Sequence, residues 1–206
     1  MASPALRQIT MLTLKPNLKK IEHAKEILEI RQRTAKRSRG KGKAAEYDLC
    51  KIFDKWYGIP QSFSRSKGSG AQFHVGQPGD IAAPLGFPLI IESKNDERWS
   101  LEDLLVPWSA KKNPSVIFKF WTQVVEASGK YHAKKADSQP RKYPVVIFTK
   151  NHQPYYIMLQ NTYIESATFI LPPNRIRLMA EGWGEFTICL LEDFLAFNSK
   201  SQLFRG

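Results

Sequence analysis

The N-terminal part of the chain has apolar positions at helical spacing. In residues 17–34 apolar side chains recur every three or four positions, which predicts a helical arm. The same spacing returns in residues 43–57 and stops at Gly58-Ile59-Pro60, which predicts a second helix. Residues 36–43 are rich in Lys, Arg and Gly. We expect this stretch to be a flexible basic hinge between the two helices.

Short apolar runs follow the helices and predict β-strands at residues 61–66, 80–83 and 88–94. Residues 84–87 have the composition of a turn, so the second and third strands are expected to form a hairpin. A period of two along the third strand then divides its side chains between two faces. One face carries Ile90, Glu92 and Lys94, and the other carries Leu89, Ile91 and Ser93.

The second half of the chain mixes helical and strand patterns. Helices are predicted at residues 101–106 and 115–127, the latter with Gly129 as its C-cap. Residues 143–149 are an apolar, β-branched run typical of a buried central strand. A closing helix is predicted at residues 191–197. Further strands are predicted at residues 155–159, 168–171, 176–179 and 186–190.

Composition bounds the class of protein. A chain of 206 residues suits one domain with appendages. Two distant cysteines, Cys50 and Cys189, favour a reducing compartment over a disulfide framework or a Cys-based zinc site. No apolar run is long enough to cross a bilayer, and residues 1–20 lack the apolar core of a secretory signal. We therefore expect a cytoplasmic protein with no membrane partner.

The net charge of +12 is concentrated near the N-terminus. Residues 1–45 hold 12 of the 31 Lys and Arg and 3 of the 19 acids, so they contribute 12 − 3 = +9. Such a surplus displaces counterions from a polyphosphate, which indicates a nucleic-acid partner. A solvated tail or a localisation signal is the alternative interpretation.

The predicted hairpin brings charged side chains close together. Asp80 begins one strand and Glu92-Ser93-Lys94 ends the next, so two carboxylates and an ammonium are expected within cross-strand distance, about 4.5–5.5 Å. Two such carboxylates repel unless a cation lies between them, and oxygen ligands suit Mg²⁺. Lys94 could then stabilise negative charge that develops on a scissile phosphate.

An ordinary Glu–Lys surface pair is the alternative explanation for Glu92 and Lys94. The strand that carries them argues against it, because Leu89-Ile90-Ile91 is strongly apolar and indicates an interior strand. A charged face on an interior strand needs a reason.

Residues 39–94 resemble the PD-(D/E)xK nuclease superfamily and, within it, archaeal-type Holliday junction resolvases and their phage relatives. The similar features come in the same order: a basic lead at Arg39-Gly40-Lys41-Gly42, a helix bearing Glu46, a strand ending in Arg65, a loop at Gly68-Ser69-Gly70, then Asp80 and Glu92-Ser93-Lys94. One departure is Gly79, which replaces the usual Pro of the motif and is expected to be harmless. Another is the length of residues 95–114 and of the C-terminal half, which puts substrate specificity in question.

The resemblance implies an α/β, restriction-endonuclease-like core with a mixed central sheet flanked by helices, plus a basic N-terminal helical arm. Residues 1–42 would be the arm, and residues 43–206 the nuclease domain with a C-terminal extension. The arm would grip flanking DNA without reading its sequence. The DNA-binding residues expected in and directly after the arm are Arg37, Arg39, Lys41 and Lys43.

The resemblance also implies roles for single residues. Asp80 and Glu92 would be metal ligands, joined by the backbone carbonyl of Ser93, and Lys94 would be the catalytic lysine. Glu46 would complete the acidic cluster and take part in catalysis and metal binding. The alternative for Glu46 is a helix-terminal acid favoured by the dipole. The cofactor would be Mg²⁺, with Mn²⁺ as a substitute.

Four more residues are weaker candidates. By the resemblance, Arg65 and Ser69 would face the DNA backbone. Gln123 lies on the predicted helix 115–127, where superfamily members often carry a Gln near the site, but a plain polar helix position explains it equally simply. His74 could touch a phosphate or be an ordinary loop residue.

The function implied is a Mg²⁺-dependent DNA endonuclease acting on branched DNA, as a two-fold homodimer if the substrate is a four-way junction. A site-specific restriction or homing endonuclease and a recombination exonuclease are alternatives within nucleases. A non-catalytic nucleic-acid-binding protein that keeps the fold is the alternative from another class.

Overall fold

The computed structural model describes residues 18–66, 78–105, 115–134, 141–167 and 169–203. The chain divides between Gly40 and Lys41 into two units. In the ranges described, no helix has the length and apolar character needed to span a membrane.

Helix α1 is a single element of 40 residues, Leu18–Tyr57. The hinge predicted at residues 36–43 is therefore wrong, since the helix continues through Gly40 and Gly42. Each glycine costs a helix about 1 kcal/mol relative to Ala, but propagation between two helix-forming segments is cooperative. The predicted stop is confirmed: Gly58 has a positive φ of 77°, and its N–H donates to Asp54 O at 2.8 Å.

Two short strands form a small antiparallel sheet of their own. Strand β1, Ser64–Arg65, pairs with strand β2, Ile81–Ala82, with Arg65 opposite Ile81. The hairpin predicted between residues 80–83 and 88–94 is therefore wrong. Local pattern predicts that a strand exists, whereas its partner is chosen by tertiary packing.

The main sheet is mixed, as predicted. Strand β3, Leu89–Asn95, runs parallel to β4, Tyr143–Thr149, and all other pairs are antiparallel. The order is β3-β4-β5-β7-β6, where β5 is Tyr156–Gln160, β6 is Arg175–Ala180 and β7 is Gly184–Leu190. Every residue of β4 after Tyr143 is buried, which confirms that residues 143–149 form an interior strand.

Helices cover both faces of this sheet. Beyond α1 they are α2, Glu102–Leu105; α3, Val116–Lys134; α4, Asn161–Ala167; α5, Leu191–Phe197; and α6, Lys200–Leu203. Leu49 and Phe53 of α1 pack in one core with Ile91, while Trp121 of α3 packs in the other with Ile90. The alternation predicted along β3 is thus confirmed.

Three further differences concern element boundaries. Helix α3 continues past Gly129, the predicted C-cap, to Lys134. Residues 169–171, part of a predicted strand, form no strand, and residue 168 lies outside the described ranges. Helices α4 and α6 were not predicted, because both are too short to show a clear helical period.

Candidate active site

The C-terminal end of β3 holds an acid and a base on one face. Glu92 and Lys94 are two residues apart, and Lys94 Nζ lies 2.6 Å from Glu92 Oε1. Only 12% of the Glu92 side chain and 26% of the Lys94 side chain are exposed. Lys94 Nζ also lies 5.9 Å from the centroid of the Phe120 ring on α3. This is a partly buried ion pair against an aromatic wall rather than a solvated surface pair.

Asp80 reaches β3 through a backbone corner at Gly79. The Asp80 N–H donates to Ile91 O at 2.7 Å, and Asp80 Oδ2 accepts from the Ser93 N–H at 2.9 Å. Gly79 has a φ of 83°, and a Cβ added there would lie 2.4 Å from Ile91 O. Two bonds from β3 therefore hold the Asp80 backbone and carboxylate in place.

The usual Pro of the motif would not fit at position 79 of this chain. A proline fixes φ near −65°, which is incompatible with the observed positive φ. Any side chain would also collide with the backbone of β3. In this chain the corner before Asp80 requires glycine.

Glu46 enters the site from α1 and is held by Arg65 of β1. Arg65 Nε donates to Glu46 Oε2, and both side chains are largely buried. The Arg65 guanidinium also lies over the Tyr47 ring, 5.2 Å from its centroid. Burial works to lower the pKa of Arg65, but hydrogen bonds to Glu46 and Tyr47 outweigh it and raise that pKa.

Electrostatic interactions connect the three acids and affect their pKa values. Burial raises the pKa of Glu92 to about 7, and the charge of Asp80 adds to the effect while Lys94 opposes it. Burial also raises the pKa of Asp80, against the Ser93 hydrogen bond. For Glu46, burial raises the pKa and the Asp80 charge contributes, against its bond to Arg65. The structure thus brings together Glu46, Asp80, Glu92, Lys94 and Arg65.

The donor set can be tested against the metal that the sequence implies. Across residues 18–66, 78–105, 115–134, 141–167 and 169–203, no three His, Cys, Asp or Glu side chains are arranged to hold a metal ion. The acids instead form ion pairs with basic side chains: Glu92 pairs with Lys94, and Glu46 pairs with Arg65. Two carboxylates and a carbonyl suit Mg²⁺, which keeps several of its waters.

Two buried side-chain oxygens belong to residues that are bonded or adjacent to the candidate site. Ser66 Oγ and Asn95 Oδ1 have no hydrogen-bond partner within the part of the chain that is described. Ser66 lies beside Asp80, since its N–H donates to Asp80 O at 2.9 Å, and Asn95 follows Lys94. Buried polar atoms are normally paired with protein or with water. These oxygens suit a water and the carboxylates have the chemistry that Mg²⁺ prefers, but the described acids are not arranged around one ion.

The other predicted residues are either exposed or outside the described ranges. Gln123 is an exposed residue of α3, three positions after Phe120. Ser69 and His74 lie outside the described residues. The four basic residues predicted to bind DNA are exposed on α1: Arg37, Arg39, Lys41 and Lys43.

Sequence reasoning missed Tyr47 and Ser66. Tyr47 could have been noticed as an apolar residue with lysines four positions away on either side, at Lys43 and Lys51. The sequence holds no signal for Ser66, whose significance depends on its pairing with Asp80.

A known family covers most of the chain. The sequence profile of the family described as "Phage putative PDDEXK endonuclease" matches residues 37–196, which include Glu46, Asp80, Glu92 and Lys94. The chain belongs to this family. No match was found among curated proteins or among solved structures.

Membership of the phage PDDEXK endonuclease family confirms the superfamily and the relation to phage proteins inferred from residues 39–94. It also agrees with the observed α/β fold, a mixed five-stranded sheet flanked by helices. The chain is accordingly a nuclease of the PD-(D/E)xK superfamily.

Proposed function

We propose that this nuclease is a Mg²⁺-dependent DNA endonuclease that cuts branched DNA. The observation that carries the proposal is the convergence of Glu46, Asp80 and Glu92 beside Lys94. Burial raises the pKa of each acid, so the cluster favours either protons or a cation. The preference for branched substrates is supported by the resemblance of residues 39–94 to junction resolvases.

In this proposal Asp80, Glu92 and the Ser93 carbonyl hold the metal. Mg²⁺ would supply a water activated for attack and would neutralise charge on the scissile phosphate. Lys94 would move from Glu92 to a phosphate oxygen and stabilise the negative charge that develops there. Arg65 would orient Glu46 and face the DNA backbone.

Cleavage by site variants tests the proposed chemistry. We expect Asp80→Ala and Glu92→Gln to lower Mg²⁺-dependent nicking of supercoiled DNA by at least about 100-fold, because each removes a ligand or its charge. Glu185→Gln is the matched control. Glu185 also forms an ion pair with a basic side chain, Arg177, but this pair lies on β7 and β6, the two strands farthest from β3 in the sheet. Equal nicking by wild type and Asp80→Ala would remove the proposed site.

Thermal unfolding tests metal binding without activity. A cation that binds only the folded protein raises its melting temperature as its concentration increases. We expect Mg²⁺ and Mn²⁺ to stabilise wild type and Glu185→Gln but not Asp80→Ala. A melting temperature that does not respond to either metal would contradict the proposed cofactor.

A substrate panel tests the branched-DNA proposal. A four-way junction, a matched linear duplex and single strands of the same sequence are to be compared at one salt concentration. We expect the junction to be cut fastest and to bind two copies of the chain, which sedimentation of the complex can count. No preference for the junction would favour a restriction, homing or exonuclease activity instead. Binding of these DNAs with no cleavage under any metal would favour a non-catalytic binding protein.

A further inference from the structure

The exposed surface of α1 beside Glu46 carries a stripe of three residues with no role in the proposed chemistry. Lys43, Tyr47 and Lys51 follow one another at intervals of four, so they lie on one face of the helix. Both lysines are exposed, and 56% of Tyr47 is exposed. Of the Phe, Tyr and Trp residues in the described ranges, only Tyr47 and Phe197 are exposed. An aromatic ring left in solvent between two lysines is not explained by core packing.

Arg65 connects this stripe to the acidic cluster. Its guanidinium lies over the Tyr47 ring while its Nε donates to the neighbouring Glu46. A cation over an aromatic face is attractive, and here it holds the ring at a fixed place beside the site. Because more than half of Tyr47 stays exposed, the ring keeps a surface on which another planar group can stack.

The chemistry of the stripe fits one kind of ligand. Aromatic rings flanked by cations bind unpaired nucleotides, with a base stacked on the ring and phosphates near the cations. Lys51 already pairs with Asp48 at 3.2 Å, but both side chains are exposed, so this pair is weak and a phosphate can displace it. A base inside a matched duplex cannot reach the ring without leaving its stack.

We infer that Tyr47 is a stacking platform for an unpaired DNA base, with Lys43 and Lys51 on the flanking phosphates. The inference rests on the proposed function for its choice of DNA as ligand. It deepens that function by giving a preference for branched DNA a physical source: a branch point with unpaired bases would place them within reach of the acidic cluster. The acids would act on a phosphate close to the base that Tyr47 holds.

Binding of the full-length protein to fluorescent DNA tests the inference. The probe is a branched duplex with 2-aminopurine at an unpaired position, compared with the matched duplex, in EDTA so that metal-dependent cleavage does not consume the DNA. Tyr47→Leu removes the ring, Tyr47→Phe removes only the hydroxyl, and Phe197→Leu removes the other exposed aromatic ring. Phe197 is a suitable control because its helix, α5, contacts Trp56 of α1, ten residues beyond Glu46.

We expect Tyr47→Leu to weaken binding of the unpaired probe by roughly 5- to 140-fold, the equivalent of about 1–3 kcal/mol for one stacked base. Its affinity for the matched duplex should stay at the wild-type value. Tyr47→Phe and Phe197→Leu should bind both probes like wild type. Neutralising the lysines in Lys43→Gln with Lys51→Gln should reduce the salt dependence of binding to the unpaired probe.

Three results would overturn the inference. Wild-type binding by Tyr47→Leu would show that the ring contacts no base. Equal losses of affinity in Tyr47→Leu and Tyr47→Phe would show that binding depends on the Tyr47 hydroxyl and its hydrogen bond to Arg65, and not on the ring. An equal loss on matched and unpaired DNA would show that the stripe does not read unpaired bases. Since this readout needs neither metal nor cleavage, it can fail while the nuclease proposal holds, and it can succeed if that proposal fails.

Discussion

At the scale of single residues, the site depends on a glycine as much as on its acids. Gly79 lets the chain turn at positive φ and approach Ile91 closely enough for Asp80 to bond to β3 twice. The sequence places Gly79 at the Pro position of the motif but gives no sign that glycine is required there, because the close approach exists only after β3 is in place.

Alanine at Gly79 should therefore be far more damaging than alanine at another glycine of similar φ. Gly182 has a φ of 78°, and a Cβ there would meet nothing within 4 Å. We expect Gly182→Ala to lower the free energy of unfolding by about 1–2 kcal/mol. Gly79→Ala should cost roughly 2–5 kcal/mol, because a backbone clash is added to the same strain.

Urea unfolding of the two variants measures this difference, and metal-dependent nicking of the same samples reports the site. Similar losses of stability in both variants would mean that the contact between Gly79 and Ile91 is looser than observed.

The buried acids make the metal-free protein sensitive to pH. The pKa of Glu92 is raised by burial from 4.5 to about 7, so the folded protein binds this proton more tightly than the unfolded chain does. The proton on Glu92 therefore stabilises the folded protein fully below pH 4.5, and this contribution to the free energy of unfolding is lost as pH rises to about 7. In EDTA, the free energy of unfolding of wild type should fall across this interval relative to that of Glu92→Gln. If the free energy of unfolding depends on pH in the same way in both proteins, burial does not raise the pKa of Glu92.

Much of the site could be predicted at this scale. Residue type and strand pattern nominated Asp80, Glu92 and Lys94. The resemblance to the nuclease superfamily nominated Glu46 and Arg65, and the structure brings all five together. Their roles in catalysis and metal binding stay predictions. Tyr47 and Ser66 were not nominated, because their interest lies in exposure and in an unpaired atom, neither of which a sequence displays directly.

At the scale of elements, α1 shows where composition misleads. Glycines and closely spaced basic residues indicated a hinge, yet Leu18–Tyr57 is one helix. Its two flanking segments are strong helix formers, and neither Gly40 nor Gly42 is required to take an unusual φ. Local composition therefore lowered the stability of the helix without ending it.

Replacing Gly40 and Gly42 with alanine should stabilise this part of α1. A Cβ at either position would meet nothing within 4 Å, so the gain of about 1 kcal/mol per site is not offset by a clash. We expect slower hydrogen exchange of the backbone amides of residues 36–43 in the double variant. Exchange as fast as in an unfolded peptide, in wild type and variant alike, would restore the hinge interpretation.

The strands show a related limit. The alternation along β3 was predicted correctly, since a period of two is a local property. The partner of β2 was predicted incorrectly, because β1 and β3 were both compatible with its two-residue pattern. Asp80 nevertheless lies beside Glu92 and Lys94, because its N–H bonds to Ile91 O and its carboxylate accepts from the Ser93 N–H.

At the scale of the whole molecule, charge is divided unevenly between the two units. Residues 1–40 contain ten Lys and Arg and three Glu, a net charge of 10 − 3 = +7 of the total of +12. If this unit contacts DNA phosphates, its contribution should appear in the salt dependence of binding.

Neutralising the exposed basic residues of α1 tests the predicted arm in the full-length chain. Glutamine keeps the helix propensity of the residues that it replaces. The positions to change are Arg31, Arg33, Lys36, Arg37 and Arg39. We expect weaker DNA binding at every sequence, and a slope of log K against log salt that is shallower by up to about 4–5 units. An unchanged slope would show that the arm does not touch phosphates.

The sequence by itself determined the properties that are local or additive: the charge, the alternation of β3, the existence of most elements, and the order of Glu46, Asp80 and Glu92-Ser93-Lys94 along the chain. The tertiary structure decided which strands pair, that α1 is continuous, that Gly79 cannot be replaced, and that Tyr47 stays exposed above Arg65. The physical reason is the range of the interactions. Periodicity and charge are written in neighbouring residues, whereas pairing, close approach and exposure depend on segments that meet only after folding.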